Sequence, residues 1–166
     1  MRVYLPATLP LLERWQTARS CGTGPVLGHA VTASLREWFV VDDLEELEAA
    51  ATTAAARASL ALLATAPHAP PRRVVVAADA RDADVTAVPG DPRGTVRCGG
   101  ALPWSAVVAV LIDDPAAGPD VAAAVAALPA ADAGDADAAF SVDGAAGHEL
   151  AWFAAQEVAE LLGREC

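Results

Sequence analysis

A chain of 166 residues is the size at which one hydrophobic core serves the whole molecule, so a single domain over residues 1–166 is expected. Its hydrophobic fraction of 54% is inflated by alanine, which buries little area per residue, and aromatic residues make up only 5%. A formal net charge of -11 disfavours phosphate backbones and anionic membranes as partners, and the absence of lysine removes the usual P-loop and lysine Schiff-base chemistry.

Taken in chain order, Arg2 to Leu5 alternates polar and apolar residues before Pro6, the pattern of a short strand. Thr8 then stands where an N-cap opens a helix over about Leu9 to Arg19. The segment CGTGPVLG breaks that helix. Its glycines do not form a dinucleotide fingerprint, because they follow a helix rather than a strand and include Pro25, so a loop is expected. Gly28 to Val31 reads as a second short strand, and Thr32 as the cap of one or two helical turns through SLREWF.

The strongest local signal runs from Asp42 to about Ala66. Asp42 and Asp43 can cap a helix whose acidic first turns, DDLEELE, oppose the positive end of the helix dipole. Leu44, Leu47, Ala51, Ala54, Ala58 and Ala61 recur at spacings of three and four and define an apolar stripe, which Pro67, Pro70 and Pro71 end. RRVVVAAD follows as a buried strand, and DARDADVTAVPGDPRG as its polar exit and loop. Thr95 to Cys98 and Ala106 to Ile112 are two more strands, and with RRVVVAAD they are the expected centre of the sheet. Asp120 to Leu128 reads as an alanine-rich helix, DAGDADAAFSVDGAAG as an acidic loop, and Ala146 to Leu162 as a final helix. The fold class is therefore α+β: one mixed, mostly antiparallel sheet of four or five strands against a long alanine-rich helix and a C-terminal helix. Trp15, Trp38, Trp104, Trp152, Phe140 and Phe153 are the large side chains expected in its core.

No signal-type apolar run opens the chain and no apolar stretch reaches the ~20 residues of a membrane span, so a cytosolic protein is expected. Cys21, Cys98 and Cys166 are odd in number and far apart, with no CxxC, which supports neither a disulfide framework nor a zinc ribbon. HELAW at His148 falls one ligand short of the HExxH zinc pattern, since Trp152 occupies the second histidine position. On a helix, His148 and Trp152 would share one face, and Glu149, Gln156 and Glu160 another. His148 and Glu149 are the candidate catalytic residues. Asp79, Asp113 and Asp114, at the ends of apolar strands, are the candidate metal ligands, because hard divalent cations prefer oxygen donors. Asp132, Asp135, Asp137 and Asp143 add carboxylates in the late acidic segment, without the EF-hand spacing. The serines lie in no GxSxG elbow, and no cofactor is implied.

Through YLPAT, AVTASLREW, LEELEAAATTAAARASLALL, RRVVVAAD and HELAWFAAQE the chain resembles an uncharacterised family of small proteins from high-GC Gram-positive bacteria, a domain of unknown function. The resemblance spans nearly the whole chain and implies no catalytic residues to carry over. Two readings of function follow from the residues. The first is a small cytosolic non-catalytic interaction or regulatory module, with a protein partner or a second copy as ligand and neither nucleic acid nor membrane. The alternative is a small metal-assisted hydrolase built on dispersed carboxylates and a histidine.

Overall fold

The computed structural model of the chain describes residues 1–39, 43–91 and 93–165. β1 (Arg2–Ala7) leads into α1 (Leu9–Ala18), whose first turn is capped by the Thr8 hydroxyl accepting from the Leu11 N–H at 3.4 Å. Arg19, at a left-handed φ of 56°, closes that helix, and β2 (Ser20–Cys21) and β3 (Val26–Ala30) follow the CGTGPVLG break. Gly28 is required inside β3, because a Cβ there would come within 2.9 Å of the Tyr4 carbonyl oxygen on β1. α2 (Ala33–Phe39) starts from Thr32, whose hydroxyl accepts from the Leu35 N–H. α3 (Leu44–Ala64) is capped by Asp43, whose carboxylate accepts from Glu45 and Glu46 N–H at 2.8 and 3.4 Å. Asp42, the other expected cap, lies outside the described residues.

The second half supplies β4 (Val74–Asp79), β5 (Val85–Ala87), β6 (Thr95–Cys98), β7 (Leu102–Pro103) and β8 (Val107–Asp113). α4 (Gly118–Asp132), α5 (Ala136–Ala146), β9 (Leu150–Ala154) and α6 (Val158–Glu165) complete it. The fold is α+β, with a seven-stranded sheet in the order β5-β6-β3-β1-β4-β8-β9, antiparallel at every pairing, and β2 and β7 paired separately. No described helix is long and apolar enough to cross a membrane.

Alternation along the strands divides the core between the two faces of the sheet. Val3, Leu5, Val74, Val76, Val110 and Ile112 point to one face, against Leu12 and Trp15 of α1 and Val158 and Leu161 of α6. Each of these large buried side chains contributes about 1.5–3 kcal/mol. Tyr4, Val75, Ala77 and Ala109 point to the other face, beneath Leu47, Ala51 and Ala55 of α3. The far end of α3 packs Leu60 and Leu63 against Val121 and Leu128 of α4 and Val142 of α5. At the seam, Ser59 is fully buried: its hydroxyl donates to the Ala7 carbonyl at 2.6 Å and accepts from the Val74 N–H at 3.1 Å. Ala7 and Val74 face each other across β1 and β4, so one serine satisfies the backbone groups at the end of the ladder.

Several expectations need correction. The sheet has seven strands rather than four or five, because β5 lies within the segment read as a loop and β9 within the segment read as the final helix. Gly147 ends α5; the next residues alternate with period two, and the last helix starts only at Val158. The acidic loop is instead the helix α5, opened by Asp135, whose carboxylate accepts from the Ala138 N–H at 2.8 Å. β1 holds the centre of the sheet with β4, whereas β6 sits toward the opposite margin. The buried residues of α3 are Leu47, Ala51, Ala55, Ala56, Ser59, Leu60 and Leu63; of the expected stripe Leu47 and Ala51 are buried, Leu44 is exposed, and from Ala54 onward the buried face departs from it, since alanines alone do not distinguish one helix face from another. Trp38, Trp152 and Phe140 are 69%, 61% and 81% exposed and so lie outside the core, while Trp15 and Trp104 are buried.

Candidate functional site

β4 and β8 run antiparallel with Val74 opposite Ile112, which places Arg73 opposite Asp113 at one end of the pair and Asp79 at the other. Six residues of strand separate the two ends, roughly 20 Å. Asp79 faces Arg2 of β1 and accepts from its Nε and Nη2 at 3.1 and 3.2 Å. Asp113 is fully buried. Its carboxylate accepts from the Arg73 backbone N–H at 2.7 Å, from Arg73 Nε at 2.8 Å and from Arg73 Nη2 at 2.7 Å, while its carbonyl accepts from Arg72 Nε at 2.8 Å. Asp114 caps the short turn Pro115–Ala117 through the Ala116 N–H. Of the late carboxylates, Asp132 pairs with Arg57 at 2.7 Å and Asp135 caps α5.

His148 sits between α5 and β9, and its Nε2 lies 2.7 Å from Asp120 Oδ2 at the start of α4. Arg73 connects this end of the molecule: its Nη2 donates both to Asp113 and, at 2.9 Å, to the His148 carbonyl. The structure therefore gathers Asp113, His148 and Glu149 at one end of the sheet and leaves Asp79 at the other. Among the described residues, no three histidine, cysteine or carboxylate side chains come together as a ligand set. The residues that sequence reasoning missed here are Arg73 and Asp120, the partners of Asp113 and His148. A basic pair opening one apolar strand and an acidic pair closing the next is the signal that would have found the first.

His148 and Glu149 line a cleft of about 660 Å³ between α3 and the β8–β9 side of the sheet, with Thr53 and Arg57 on the helix, Leu111 on β8 and Asp143 on α5. β9 borders it and is one of the two edge strands of the sheet, β5 being the other. Its backbone phase follows from β8. The Asp113 N–H donates to the Arg73 carbonyl at 3.1 Å, so Asp113 faces β4 and its neighbour Ile112 faces β9, as does Val110. Ala151 and Phe153, the partners of Ile112 and Val110, carry the ladder bonds. Leu150, Trp152 and Ala154 direct their N–H and C=O groups away from the sheet. The Ala154 N–H is taken by the Glu157 carboxylate at 2.7 Å; those of Leu150 and Trp152 meet no partner among the described residues. The exposed Trp152 ring stands on the face of the sheet that bears α3, opposite Leu111.

A second polar cluster lies across α3. His29 of β3 is buried, with Nδ1 3.3 Å from the Arg93 carbonyl and 3.5 Å from the Thr95 hydroxyl, which donates to Asp91 Oδ2 at 2.6 Å. Burial lowers the His29 pKa, and the Thr95 hydroxyl holds the Asp91 carboxyl below its ordinary value. A groove of about 640 Å³ opens nearby between α2 and α3, lined by Leu35, Trp38, Phe39, Arg57 and Arg93.

The chain matches none of the curated proteins and none of the solved structures with which it was compared. A family model described as a family of unknown function, DUF6912, matches residues 1–162. With all but the last four residues matched, the chain belongs to that family.

Proposed function

We propose that this protein is a small cytoplasmic, non-catalytic interaction module, and that its binding element is the edge strand β9 together with the cleft beside it. One observation carries the reading: β9 offers two residues, Leu150 and Trp152, with open backbone groups on a strand that holds no charge and no proline. Edge strands are ordinarily blunted by charge, proline, a bulge or a covering segment, because an open row of N–H and C=O groups templates another strand. An extended segment added to β9 would gain main-chain hydrogen bonds, and the Leu150 and Trp152 side chains and the cleft would select its residues.

The metal-assisted hydrolase has no comparable observation in its favour. Asp113 is buried behind Arg73, Asp79 is at the far end of β4, Asp114 caps a turn, and of the candidate groups His148, Glu149 and Asp143 line the cleft without coming together as a ligand set among the described residues. The experiment is site-specific photocrosslinking in cells, with a photoreactive phenylalanine analogue at Trp152 and, as control, at the still more exposed Phe140. Adducts specific to position 152, mapping to an extended segment, are the expected result. Equal yields at the two positions, or none, would remove β9 as the binding element.

A further inference from the structure

We infer that the strand β9 accepts is β9 of a second copy of this chain, so that two seven-stranded sheets join edge to edge about a two-fold axis through Ala151. The inference rests on the reading of β9 as the binding edge and specifies its occupant.

The register follows from which backbone groups are open. A new antiparallel strand can bond only to residues whose N–H and C=O face it, which on β9 are Leu150, Trp152 and Ala154. An axis through Trp152 would set Leu150 against Ala154 of the second copy, whose N–H is already held by Glu157 at 2.7 Å. An axis through Ala151 sets Leu150 against Trp152 of the second copy and Trp152 against its Leu150. Each of those pairs exchanges two hydrogen bonds. Every open group is used, and none that is taken.

The side chains fit the same register. Ala151, exposed and uncharged, is the residue that meets itself on the axis, so no charge is set against its own copy there. Leu150 and Trp152 point to the opposite face, where each Trp152 ring stands beside Leu150 of the other copy. Cross-strand neighbours of this kind stabilise a strand pair.

Charge indicates a second copy rather than a basic peptide. Leu150 to Gln156 carries no charge in a molecule of net charge -11, so this is a stretch along which two acidic copies can approach. In this register Glu149 stands opposite Phe153 of the second copy, not opposite another carboxylate. The remaining acids repel at longer range, and salt screens that repulsion. Self-association must therefore strengthen with added salt, whereas capture of a basic partner would weaken. Five residues of strand pairing bury less than the roughly 1,200–2,000 Å² of a stable interface, so the dimer is reversible.

The test combines sedimentation at rising protein concentration, in low and in high salt, with amide exchange of Leu150 and Trp152 by NMR. The expected result is a shift from 16.9 kDa toward twice that mass. The shift should be larger in high salt, with exchange of those two amides slowed in step. Ala151→Arg, which sets two cations on the axis at an exposed position, should remain monomeric in either salt with an unchanged thermal midpoint. A strict monomer with unprotected amides, a dimer that salt weakens, or one that survives Ala151→Arg would overturn the second copy as occupant. In those cases photocrosslinking from position 152, with Phe140 as control, separates the two readings. Adducts specific to position 152 on an extended segment of another protein would leave β9 standing as a docking edge, and no specific adduct would remove both.

Discussion

Replacing Asp113 tests whether that carboxylate belongs to the fold or to a metal. It receives three donors, all from Arg73, and neither partner is open to solvent: the Arg73 side chain is 5% exposed and the Asp113 side chain 0%. Hydrogen bonds to a charged group, at about 1.5–3 kcal/mol each, would sum to more than this pair is worth. Breaking a whole buried pair costs about 3–5 kcal/mol, because the stranded ion is desolvated once, not three times, and that figure governs. Asp113→Asn and Arg73→Met should each lose this much. With a urea m-value of about 2 kcal/mol/M, the unfolding midpoint moves down by ~2 M. The double variant Arg73→Met with Asp113→Leu removes both charges and should recover most of the loss. It leaves the backbone N–H at position 73 and the His148 carbonyl without their partners, a residue of about 1–3 kcal/mol. The assay is urea denaturation of all four proteins followed by tryptophan fluorescence. A double variant no better than either single one would refute the ion-pair reasoning. A wild-type stability that rises with a divalent cation, and stops doing so in Asp113→Asn, would return Asp113 to the role of metal ligand.

Ser59→Ala should cost about 2–4 kcal/mol by the same assay, since it strands the Ala7 carbonyl and the Val74 N–H in the core; a loss below ~1 kcal/mol would show that these groups find other partners. His29 sets an acid dependence. Burial holds its folded pKa below the ordinary 6.5, so as pH falls below that value the unfolded chain binds a proton that the folded chain does not, and stability declines. The decline is at most about 1.4 kcal/mol per pH unit and ends at the folded pKa; unfolding curves of His29→Gln should lack it, and curves parallel to the wild type would contradict the assignment. Cys21 and Cys98 are both buried, with the Cys21 thiol pushed up to about 12 by burial. Mass spectrometry of alkylated protein should find both unmodified in the folded state and both modified in denaturant; rapid labelling of either when folded would contradict their burial. Gly94 has φ of 73°, and a Cβ there would lie 2.3 Å from the Ala30 carbonyl oxygen, so Gly94→Ala should destabilise by more than 1 kcal/mol; an unchanged midpoint would mean that the turn relaxes freely.

The elements legible in the sequence are those where local chemistry and tertiary demand agree. The acidic cap at Asp43, the prolines after Ala66 and the β-branched run of RRVVVAAD admit one interpretation each, and α3 and β4 lie where they indicate. α5 was obscured because Asp135 and Asp137 serve equally as turn residues and as a cap with an acidic first turn. β9 was obscured by its length: Leu150, Trp152 and Ala154 match a strand face, while the same segment with its alanines also suits a helix, and only Gly147 marks the break. The site shows the same division. His148 and Glu149 stood out by composition and do line the cleft, but the partner of His148 is Asp120, 28 residues away, and that of Asp113 is Arg73, 40 residues away. Such pairings depend on register, which residue type and local spacing do not encode.

The place of β1 in the middle of the sheet has a consequence for synthesis. Its flank toward β3 can close once Ala30 has been made, but the flank toward β4 waits for Asp79, 49 residues later. At about 5–20 residues per second this leaves the Val3 and Leu5 row open for roughly 3–10 s on every growing chain. A fragment that stops short of Val74 never closes it. The first strand to emerge is thus flanked on both sides only after Asp79 has been made, and chain elongation, rather than the search for contacts, sets the earliest time at which the core can form.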